Sequence, residues 1–360
     1  MIRYFCMNCG APYSESGLTV SCPNCGGLFT LDGLEYGPSE IRQLSGIWSY
    51  AALFDAFGVE TAYLGEGQTP LIQREVEGHQ FFAKMESLNP SGSFKDRNAA
   101  YLTDLMRKHG IRKVIEDSSG NAGAALAFYC AAFGIETHIF VPEETSGPKI
   151  AQIKNCGAQI SYIPGERRNA QKAALEQAEL GNGFYASHAA LPFGVAAYAT
   201  IAFEVFEQLG KMPERVFVPI GHGSLFYGIL IGFEAVAKTY SIRRPAMIGV
   251  QPALCAPLVK AWHKEAFVIQ KGKSLAEGAV ITEPVRGPEI LRDLKSGYDD
   301  LIAIEEYEIA AAFSALAKSG IYVEPTSALV YAGLKRLNLP KNELNVLVFT
   351  GNGLKSKIEF

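Results

Sequence analysis

The sequence predicts an α/β protein with two lobes, each built on a doubly wound parallel sheet. Short apolar segments alternate with helix-like segments along much of the chain, a pattern typical of parallel sheets flanked by helices. At 360 residues the chain also exceeds the size at which single hydrophobic cores stop growing. A cysteine-bearing segment at the N-terminus predicts a small third part.

The alternation is clearest in the first half of the chain. We predict strands at 114–115, 137–141 and 159–163, and helices at 122–133 and 149–155. In sheets of this kind, ligands bind beyond the carboxyl ends of the strands. Loops that follow strands are therefore the first places to look for a site.

Composition favours small-molecule partners. The formal net charge is −4, so the chain has no basic field that would attract nucleic acid or an anionic membrane. No apolar run approaches the roughly 20 residues that span a bilayer, and the N-terminus lacks a signal-peptide pattern. We expect a cytoplasmic protein without nucleic-acid or membrane partners.

Four of the seven cysteines form two Cys-x-x-Cys pairs. The first pair is Cys6 and Cys9, the second is Cys22 and Cys25, and this spacing is close to that of zinc ribbons. Residues 1–36 are therefore predicted to form a zinc-ribbon-like segment held by a structural zinc ion. A ribbon that binds nucleic acid is the weaker interpretation, because no aromatic and basic face accompanies the cysteines.

One lysine lies in an unusual setting. Lys95 closes the turn Asn89-Pro-Ser-Gly-Ser-Phe-Lys95 and precedes a helix-like segment that starts at Asp96. A lysine held at the junction of a turn and a helix is placed at a fixed point, where its amine can condense with an aldehyde.

Three further motifs follow apolar strands. Ser118-Ser-Gly-Asn-Ala-Gly123 opens an alanine-rich helix, so its N–H groups gather at the positive helix end that favours a carboxylate. Val218-Pro-Ile-Gly-His-Gly-Ser-Leu225 combines a strand, a glycine-rich turn and a helix, which suits a phosphate. The third motif is Val348-Phe-Thr-Gly-Asn-Gly-Leu-Lys355 near the C-terminus.

Together and in this order, these motifs resemble the threonine synthase-like family of pyridoxal phosphate (PLP) enzymes of fold type II, the tryptophan synthase β-like fold. Leu64-Gly-Glu-Gly-Gln-Thr-Pro-Leu71 resembles the family's entry motif, and Thr350 to Lys355 resembles its tail. The resemblance implies that Lys95 forms the Schiff base with PLP and that Asn121 contacts the phenolic oxygen. It implies that Thr350 meets the pyridine nitrogen.

The resemblance also implies two binding loops. The phosphate loop consists of Gly221, His222, Gly223, Ser224 and Leu225. The substrate carboxylate would be bound by Ser118, Ser119, Gly120 and Ala122.

The resemblance also implies an organisation. The small lobe would cover 85–195, and the large PLP-binding lobe 37–84 plus 196–360. Enzymes of this fold type are commonly homodimers, so we expect a homodimer by analogy. Similar enzymes often begin with a cysteine-bearing segment, so the four cysteines could also persist without metal.

The sequence departs from the family where threonine synthases bind the phosphate of O-phosphohomoserine. The family pattern Asn-Ser-x-Asn-Pro-x-Arg-x-x-Gly-Gln-Lys-Thr aligns with His188-Ala-Ala-Leu-Pro-Phe-Gly-Val-Ala-Ala-Tyr-Ala-Thr200. The arginine has become Gly194 and the lysine Ala199. Without charge-assisted donors, binding of a dianionic phosphate would be weaker by roughly several kcal/mol. A shifted alignment, or a cationic site built from Arg167, Arg168, Lys149 or Lys154, remains open.

We therefore predict a PLP-dependent lyase that eliminates or replaces a β or γ substituent of an amino acid other than O-phosphohomoserine. The altered segment predicts an apolar and aromatic lining from Leu191, Phe193 and Tyr198, with His188 as its polar substrate-binding group. Two alternatives keep the cofactor: a β-replacement synthase of the cysteine or diaminopropionate kind, and a threonine or serine dehydratase. A non-catalytic PLP- or zinc-binding interaction protein is the last alternative.

Overall fold

The computed structural model describes residues 2–14, 17–37, 45–57, 63–340 and 343–357. Residues 38–44 and 58–62, which we predicted in the large lobe, lie outside these ranges. The strands are β1 (Arg3–Cys6), β2 (Phe29–Asp32), β3 (Leu71–Val76), β4 (His79–Lys84), β5 (Lys113–Glu116), β6 (Glu136–Pro142), β7 (Gln159–Ile163), β8 (Phe184–Tyr185), β9 (Arg215–Pro219), β10 (Ala246–Pro252), β11 (Asp300–Ile304) and β12 (Asn345–Val348). The α-helices are α1 (Lys95–Lys108), α2 (Asn121–Ala132), α3 (Pro148–Asn155), α4 (Arg167–Glu179), α5 (Phe193–Leu209), α6 (Ser224–Tyr240), α7 (Pro257–Trp262), α8 (Gly287–Asp293), α9 (Glu306–Lys318) and α10 (Pro325–Leu337). Short 3-10 helices cover Gly46–Phe57, Glu86–Leu88, Ala253–Cys255, Glu277–Ala279 and Gly353–Lys355.

The chain divides into two compact units. The first contains Met1–Gly67, Asn89–Ala197 and Lys357–Phe360, and the second contains Gln68–Leu88 and Tyr198–Ser356. Within the described ranges, no helix combines the length and the apolar character needed to cross a membrane.

The first unit is built on a parallel sheet of four described strands in the order β7-β6-β5-β8. The strands predicted at 114–115, 137–141 and 159–163 are confirmed as β5, β6 and β7, and the helices predicted at 122–133 and 149–155 as α2 and α3. Pairing of Ile115 with Tyr185 places the segment after β8 beside the end of β5. The loops that follow these two strands therefore meet at one edge of the sheet.

The cysteine-bearing segment is an antiparallel hairpin of β1 and β2 within the same unit. Its aromatic residues pack against the start of α5: the ring centroids of Tyr4 and Tyr13 lie 5.2 and 5.3 Å from that of Phe193. Edge-to-face contacts of this kind add a stabilising free energy beyond that of burying the apolar surface. The hairpin is therefore joined to the first unit by a buried aromatic cluster.

The second unit is built on a sheet with the strand order β11-β10-β9-β12-β4-β3. β3 is antiparallel to β4, and the other described neighbours are parallel. All seven residues of β10 are buried, as expected for a central parallel strand covered on both faces. The sheet is therefore a mixed α/β layer with one antiparallel edge.

A buried ion pair joins the end of β4 to α5. Lys84 Nζ lies 2.6 Å from Glu204 Oε2 and donates to the carbonyl of Thr69 at 2.7 Å. The other oxygen of Glu204 accepts the backbone N–H of Gln68 at 2.8 Å. Both charged side chains are almost fully buried, so each depends on the other for its solvation.

Candidate active site

Lys95 is the first residue of α1 and is half-buried. The turn before it is fixed by Asp96, whose carboxylate accepts the Ser91 hydroxyl and, at 2.6 Å, the Ser91 backbone N–H. Gln152 of α3 donates to the Ser91 carbonyl at 3.1 Å. The lysine Nζ lies 4.7 Å from the centroid of the Phe94 ring. The backbone that carries Lys95 is thus held on both sides of the turn.

The loop after β5 is shaped by a close approach of two backbone segments. A Cβ at Gly123 would lie 1.9 Å from the carbonyl oxygen of Ser118, so only glycine fits there. The loop therefore folds tightly over the first turn of α2, which starts at Asn121. This geometry gathers Ser118, Gly120 and Asn121 at the positive end of the helix.

A histidine and a glutamate meet at the same edge of the sheet. His188 Nδ1 lies 3.0 Å from Glu116 Oε1, and the His188 backbone N–H donates to Glu116 Oε2 at 3.3 Å. Burial raises the pKa of Glu116 to about 7. Burial and the nearby charge of Lys95 hold the pKa of His188 well below its ordinary value. The two side chains therefore form a neutral pair near Lys95 at pH values below about 7.

The neighbouring carboxylate has other partners. Tyr185 donates to Asp117 Oδ1 at 2.6 Å, and Arg167 Nη2 lies 3.8 Å from Asp117 Oδ2. Burial and the charge of Glu116 raise the pKa of Asp117. Arg167, one of the basic residues that could have replaced the missing phosphate donors, is thus engaged with a carboxylate. Lys154 lies over the Tyr162 ring at 5.5 Å.

In the second unit, the glycine-rich turn leads from β9 into α6. Gly223 has φ of 96°, and α6 begins at the next residue. A Cβ at Gly221 would lie 2.7 Å from the carbonyl oxygen of Gly278, so the turn packs closely on the 3-10 helix at Glu277–Ala279. The Ser224 hydroxyl is buried and has no hydrogen-bond partner within the described ranges. A buried, unpartnered hydroxyl at a helix start fits a phosphate ligand.

Thr350 lies just after β12 and is 1% exposed. Its hydroxyl donates to Glu324 Oε1 at 2.9 Å and lies 3.0 Å from Ser327 Oγ. A Cβ at Gly351 would lie 2.5 Å from the Glu324 carboxyl carbon, so the tail motif packs directly on the start of α10. The sequence indicated Thr350 but not that Glu324 accepts its hydrogen bond.

The segment that departs from the family pattern is tightly packed. A Cβ at Gly194 would lie 2.9 Å from Asn98 Oδ1. Phe193, which we expected in the lining, is instead fully buried in the aromatic cluster with Tyr4 and Tyr13. In the second unit, the continuation of α5 packs closely on α6, because a Cβ at Gly232 would lie 2.6 Å from the Ala199 carbonyl oxygen.

The four paired cysteines converge. The sulfur atoms of Cys6, Cys9, Cys22 and Cys25 all lie within 4.8 Å of one another. Neighbouring sulfurs are separated by 3.4 Å between Cys6 and Cys25 and by 3.7 Å between Cys9 and Cys22. The hairpin thus holds four potential thiolate ligands in one cluster.

Sequence reasoning did not single out Glu116, which the structure pairs with His188. A signal was present, because Glu116 and Asp117 directly follow an apolar strand and lie where ligands bind in a parallel sheet. What the sequence could not supply was the partner, since His188 is 72 residues away along the chain.

The chain matches a known protein family over most of its length. Residues 62–351 match the family described as "Pyridoxal-phosphate dependent enzyme". The threonine synthase of Methanocaldococcus jannaschii is 31% identical over 97% of this chain and 92% of its own. That of Methanosarcina acetivorans is 29% identical over 99% of this chain and 92% of its own.

Solved structures agree on the fold. A threonine deaminase from T.th. matches with a TM-score of 0.67 and 22% identity, over 79% of this chain and 92% of its own. This likeness shows a fold-type II architecture, as the sequence predicted. With a family match across most of its length and a threonine synthase relative at 31% identity, the chain belongs to the pyridoxal-phosphate-dependent enzymes.

Proposed function

We propose that this protein is a PLP-dependent lyase or synthase that eliminates or replaces a β or γ substituent of an amino acid with an uncharged side chain. O-Phosphohomoserine is not its preferred substrate in this proposal. The observation that carries the proposal is the glycine at position 194, where the family pattern has an arginine and where the Asn98 side chain lies 2.9 Å from the place of an added Cβ.

At position 194 the family pattern has an arginine, and this chain has a glycine, which carries no donor. An added Cβ there would lie 2.9 Å from Asn98 Oδ1, so the Asn98 side chain occupies the space beside Gly194. Leu191, in place of an asparagine, is 2% exposed and adds no donor. A phosphate at this place would lack the charge-assisted hydrogen bonds that such a group requires. The missing donors therefore support a substrate without a phosphate.

The residues of this chain fit the cofactor. Lys95 would bond covalently to PLP, Asn121 would contact it, and Thr350 would meet its ring nitrogen. The loop from Gly221 to Leu225 would hold its phosphate, which the buried Ser224 hydroxyl supports. When bound, PLP supplies an electron sink for breaking bonds at Cα.

The chain itself has three tasks in this reaction. The N–H groups and hydroxyls of Ser118, Ser119, Gly120 and Ala122 would bind the substrate carboxylate at the start of α2. The Lys95 amine would move the Cα proton. His188 would contact the substrate side chain, which its position beside the charge of Lys95 supports.

A dehydratase of threonine or serine is the second candidate, and the pair of His188 and Glu116 favours it. A departing hydroxyl group must be protonated, and this pair can hold a proton near the reacting carbon. A β-replacement synthase would instead require a second nucleophilic substrate.

We further propose that the four clustered cysteines bind one structural zinc ion. A tetrahedron with Zn–S bonds of about 2.3 Å has sulfur–sulfur edges of about 3.8 Å. The 3.4 and 3.7 Å separations of the described sulfurs are close to that edge. The support is the donor set and its spacing.

Turnover of a substrate panel tests the proposed function. Purified protein loaded with PLP would be given L-serine, L-threonine, L-homoserine, O-acetyl-L-homoserine and O-phospho-L-homoserine, and keto acid, ammonia and threonine would be measured. We expect the highest kcat/KM with an uncharged amino acid. The highest kcat/KM with O-phospho-L-homoserine would overturn the substrate proposal.

A lysine pair on α1 tests the chemistry. Lys95→Ala should lose both the absorbance of lysine-bound PLP and all turnover. Lys108→Ala, at the exposed end of the same helix, is the matched control and should retain both. Retained absorbance and turnover in the Lys95 variant would exclude its assigned role.

A further inference from the structure

We propose that Glu116 and His188 form a proton relay that protonates a departing hydroxyl group, with His188 as the catalytic acid and Glu116 as the positioning residue behind it. The inference rests on the proposed function, because it concerns the side chain of the same amino-acid substrate. It selects hydroxy amino acids as the substrate class.

The fold brings the two residues together through strand pairing. Glu116 is the last residue of β5, and β8 pairs with β5 up to Tyr185. The backbone N–H of Ala186 still donates to the Ile115 carbonyl at 2.8 Å, so the two chains leave the sheet side by side. His188 then turns back, and both its backbone N–H and its ring meet the Glu116 carboxyl group.

Burial makes this contact selective. The Glu116 side chain is 0% exposed and that of His188 is 12% exposed. The carboxyl group is thus sealed inside the unit, whereas part of the His188 side chain is accessible. A ligand at this edge can contact His188, and Glu116 can act on it only through His188.

The pair has two arrangements that differ by one proton, one before and one after it donates. A neutral imidazole carries one N–H, and the nitrogen that bonds to the carboxyl group fixes which one. If Glu116 is protonated, it donates to Nδ1, and Nε2 carries the imidazole proton. If Glu116 is ionised, it accepts from Nδ1–H, and Nε2 becomes an acceptor. When Nε2 gives up its proton and the Glu116 proton moves to Nδ1, the ring N–H therefore changes from Nε2 to Nδ1.

The surroundings support a pair that is neutral overall at pH values below about 7. Burial raises the pKa of Glu116 to about 7, and burial and Lys95 lower that of His188. Arg167 lowers the pKa of both, and Asp117 raises that of His188. Tyr185 is a further titratable group at this edge, and its hydroxyl donates to Asp117.

The proposed step balances without another reactant. The carbon–oxygen bond breaks and its electron pair goes to the oxygen, which takes the proton from His188 Nε2 and leaves as water. The electron pair left at Cα after proton removal forms the new carbon–carbon double bond. The Glu116 proton moves to Nδ1, so the imidazole stays neutral and Glu116 becomes a carboxylate.

Backbone groups are in place to stabilise that carboxylate. Glu116 Oε1 accepts the N–H of Asp117 at 3.0 Å, and Oε2 accepts the N–H of His188 at 3.3 Å. Hydrogen bonds to a charged acceptor are stronger than those to a neutral one, so these contacts strengthen as the proton leaves. A proton from solvent restores the pair after each turnover.

Two substrates that differ in their leaving group test the relay. Loss of hydroxide from L-serine requires a proton, whereas loss of chloride from β-chloro-L-alanine does not. For Glu116→Gln we expect kcat with L-serine to fall by about 100-fold, the typical contribution of a positioned acid. The kcat for β-chloro-L-alanine should fall far less than the kcat for L-serine. His188→Gln, which also removes a substrate-binding group, should raise the KM for both amino acids but lower kcat mainly for L-serine.

The pH profile provides a second readout. In the wild type, kcat for L-serine should fall as the pH rises through about 7, because Glu116 loses its proton. Glu116→Gln should not show this fall of kcat. With β-chloro-L-alanine, neither the wild type nor the variant should show it. Glu136→Gln is the matched control, since its side chain is 73% exposed on the adjacent strand, and it should behave as wild type.

The outcomes separate the relay from the proposed function. Equal losses with both amino acids, or turnover of β-chloro-L-alanine but not of L-serine, L-threonine or L-homoserine by the wild type, would overturn the relay alone. No turnover of any of these amino acids by wild-type protein that shows the absorbance of lysine-bound PLP would overturn the proposed function itself.

Discussion

The hydroxyl of Thr350 donates a hydrogen bond of 2.9 Å to the Glu324 carboxylate. A hydroxyl has one proton, so Ser327 Oγ, 3.0 Å away, must be the donor in its contact with Thr350. The Thr350 oxygen can then meet a further group only as an acceptor. A ring nitrogen placed against it would have to bring its own proton.

The variant Glu324→Gln tests this polarity. Its amide can donate to Thr350, which frees the hydroxyl proton to point at the ring nitrogen. We expect PLP labelled with ¹⁵N to show a protonated pyridine nitrogen in the wild type and a shift toward the unprotonated form in the variant. Elimination should slow by about tenfold, or about 1.4 kcal/mol in the barrier. An unprotonated nitrogen in the wild type would contradict the assignment.

A control separates this effect from general loss of charge. Glu265→Gln removes a carboxylate that is half exposed and pairs with Lys260. The ¹⁵N shift and the rate should match those of the wild type. A change of equal size in both variants would mean that the signal does not report on the Thr350 contact.

The buried pair of Lys84 and Glu204 predicts a large effect on stability. Lys84→Met leaves a buried carboxylate without its cation, and breaking such a pair costs about 3–5 kcal/mol. The free energy of unfolding, measured by urea titration, should fall by that amount. The double variant Lys84→Met with Glu204→Gln should lose less, because the remaining side chain is neutral.

An exposed pair serves as the matched control. Lys113 and Glu136 are 3.1 Å apart with side chains 62% and 73% exposed. Lys113→Met should change the free energy of unfolding by less than about 0.5 kcal/mol, since solvent screens such pairs. If the Lys84 and Lys113 variants lost equal stability, burial would not be what makes the Lys84 pair strong.

Local patterns in the sequence predicted much of the fold. The strand at Gln159–Ile163 could be placed to the residue because a helical segment and a polar turn bound it. The motifs around Lys95, Gly221 and Thr350 could be recognised because each depends on neighbours within a few residues.

What the sequence could not predict are contacts between distant residues. Lys84 and Glu204 are 120 residues apart, and nothing local to either indicates the partner. The same holds for Thr350 with Glu324. In the sequence, a carboxylate just before a helix is explained equally well by its interaction with the positive helix end. Phe193 shows the reverse error: an aromatic residue in a site motif was expected to line the site but packs in the core.

Glu116 predicts a pH dependence of stability. Its folded pKa of about 7 lies above its ordinary value of 4.5, so the folded state binds the proton more tightly than the unfolded state. This contribution is fully present below pH 4.5 and is lost as the pH rises through about 7. Unfolding at a series of pH values should show a decline of at most about 3 kcal/mol across this window.

Glu116→Gln cannot titrate and should show a flatter profile over the same window. Glu136→Gln should keep the decline of the wild type. An unchanged slope in the Glu116 variant would mean that another group titrates there.

The packing of Asn98 beside Gly194 predicts a coupling between the two positions in a double-mutant cycle. Gly194 is the second residue of α5, and alanine is a better helix former than glycine by up to about 1 kcal/mol. A Cβ at 194 would lie 2.9 Å from Asn98 Oδ1, so the Asn98 side chain must shift to admit it. Gly194→Ala should therefore be more favourable in the Asn98→Ala background than in the wild type, as measured by urea unfolding. An equal change of the free energy of unfolding in both backgrounds would contradict the steric explanation.

The cysteine cluster predicts that metal removal loosens the N-terminal hairpin. Metal analysis should find one zinc ion per chain, and a chelator should lower the melting temperature, since binding of a structural zinc contributes directly to folding. Cys6→Ser should lose the zinc and gain no further shift from the chelator. Cys156→Ser, outside the cluster and half-buried, should keep both zinc and chelator sensitivity.

Because Tyr4 and Tyr13 join the hairpin to Phe193, protease cleavage near the N-terminus should also become faster without zinc. Full stability of a zinc-free protein would show that the hairpin is held by its aromatic contacts alone.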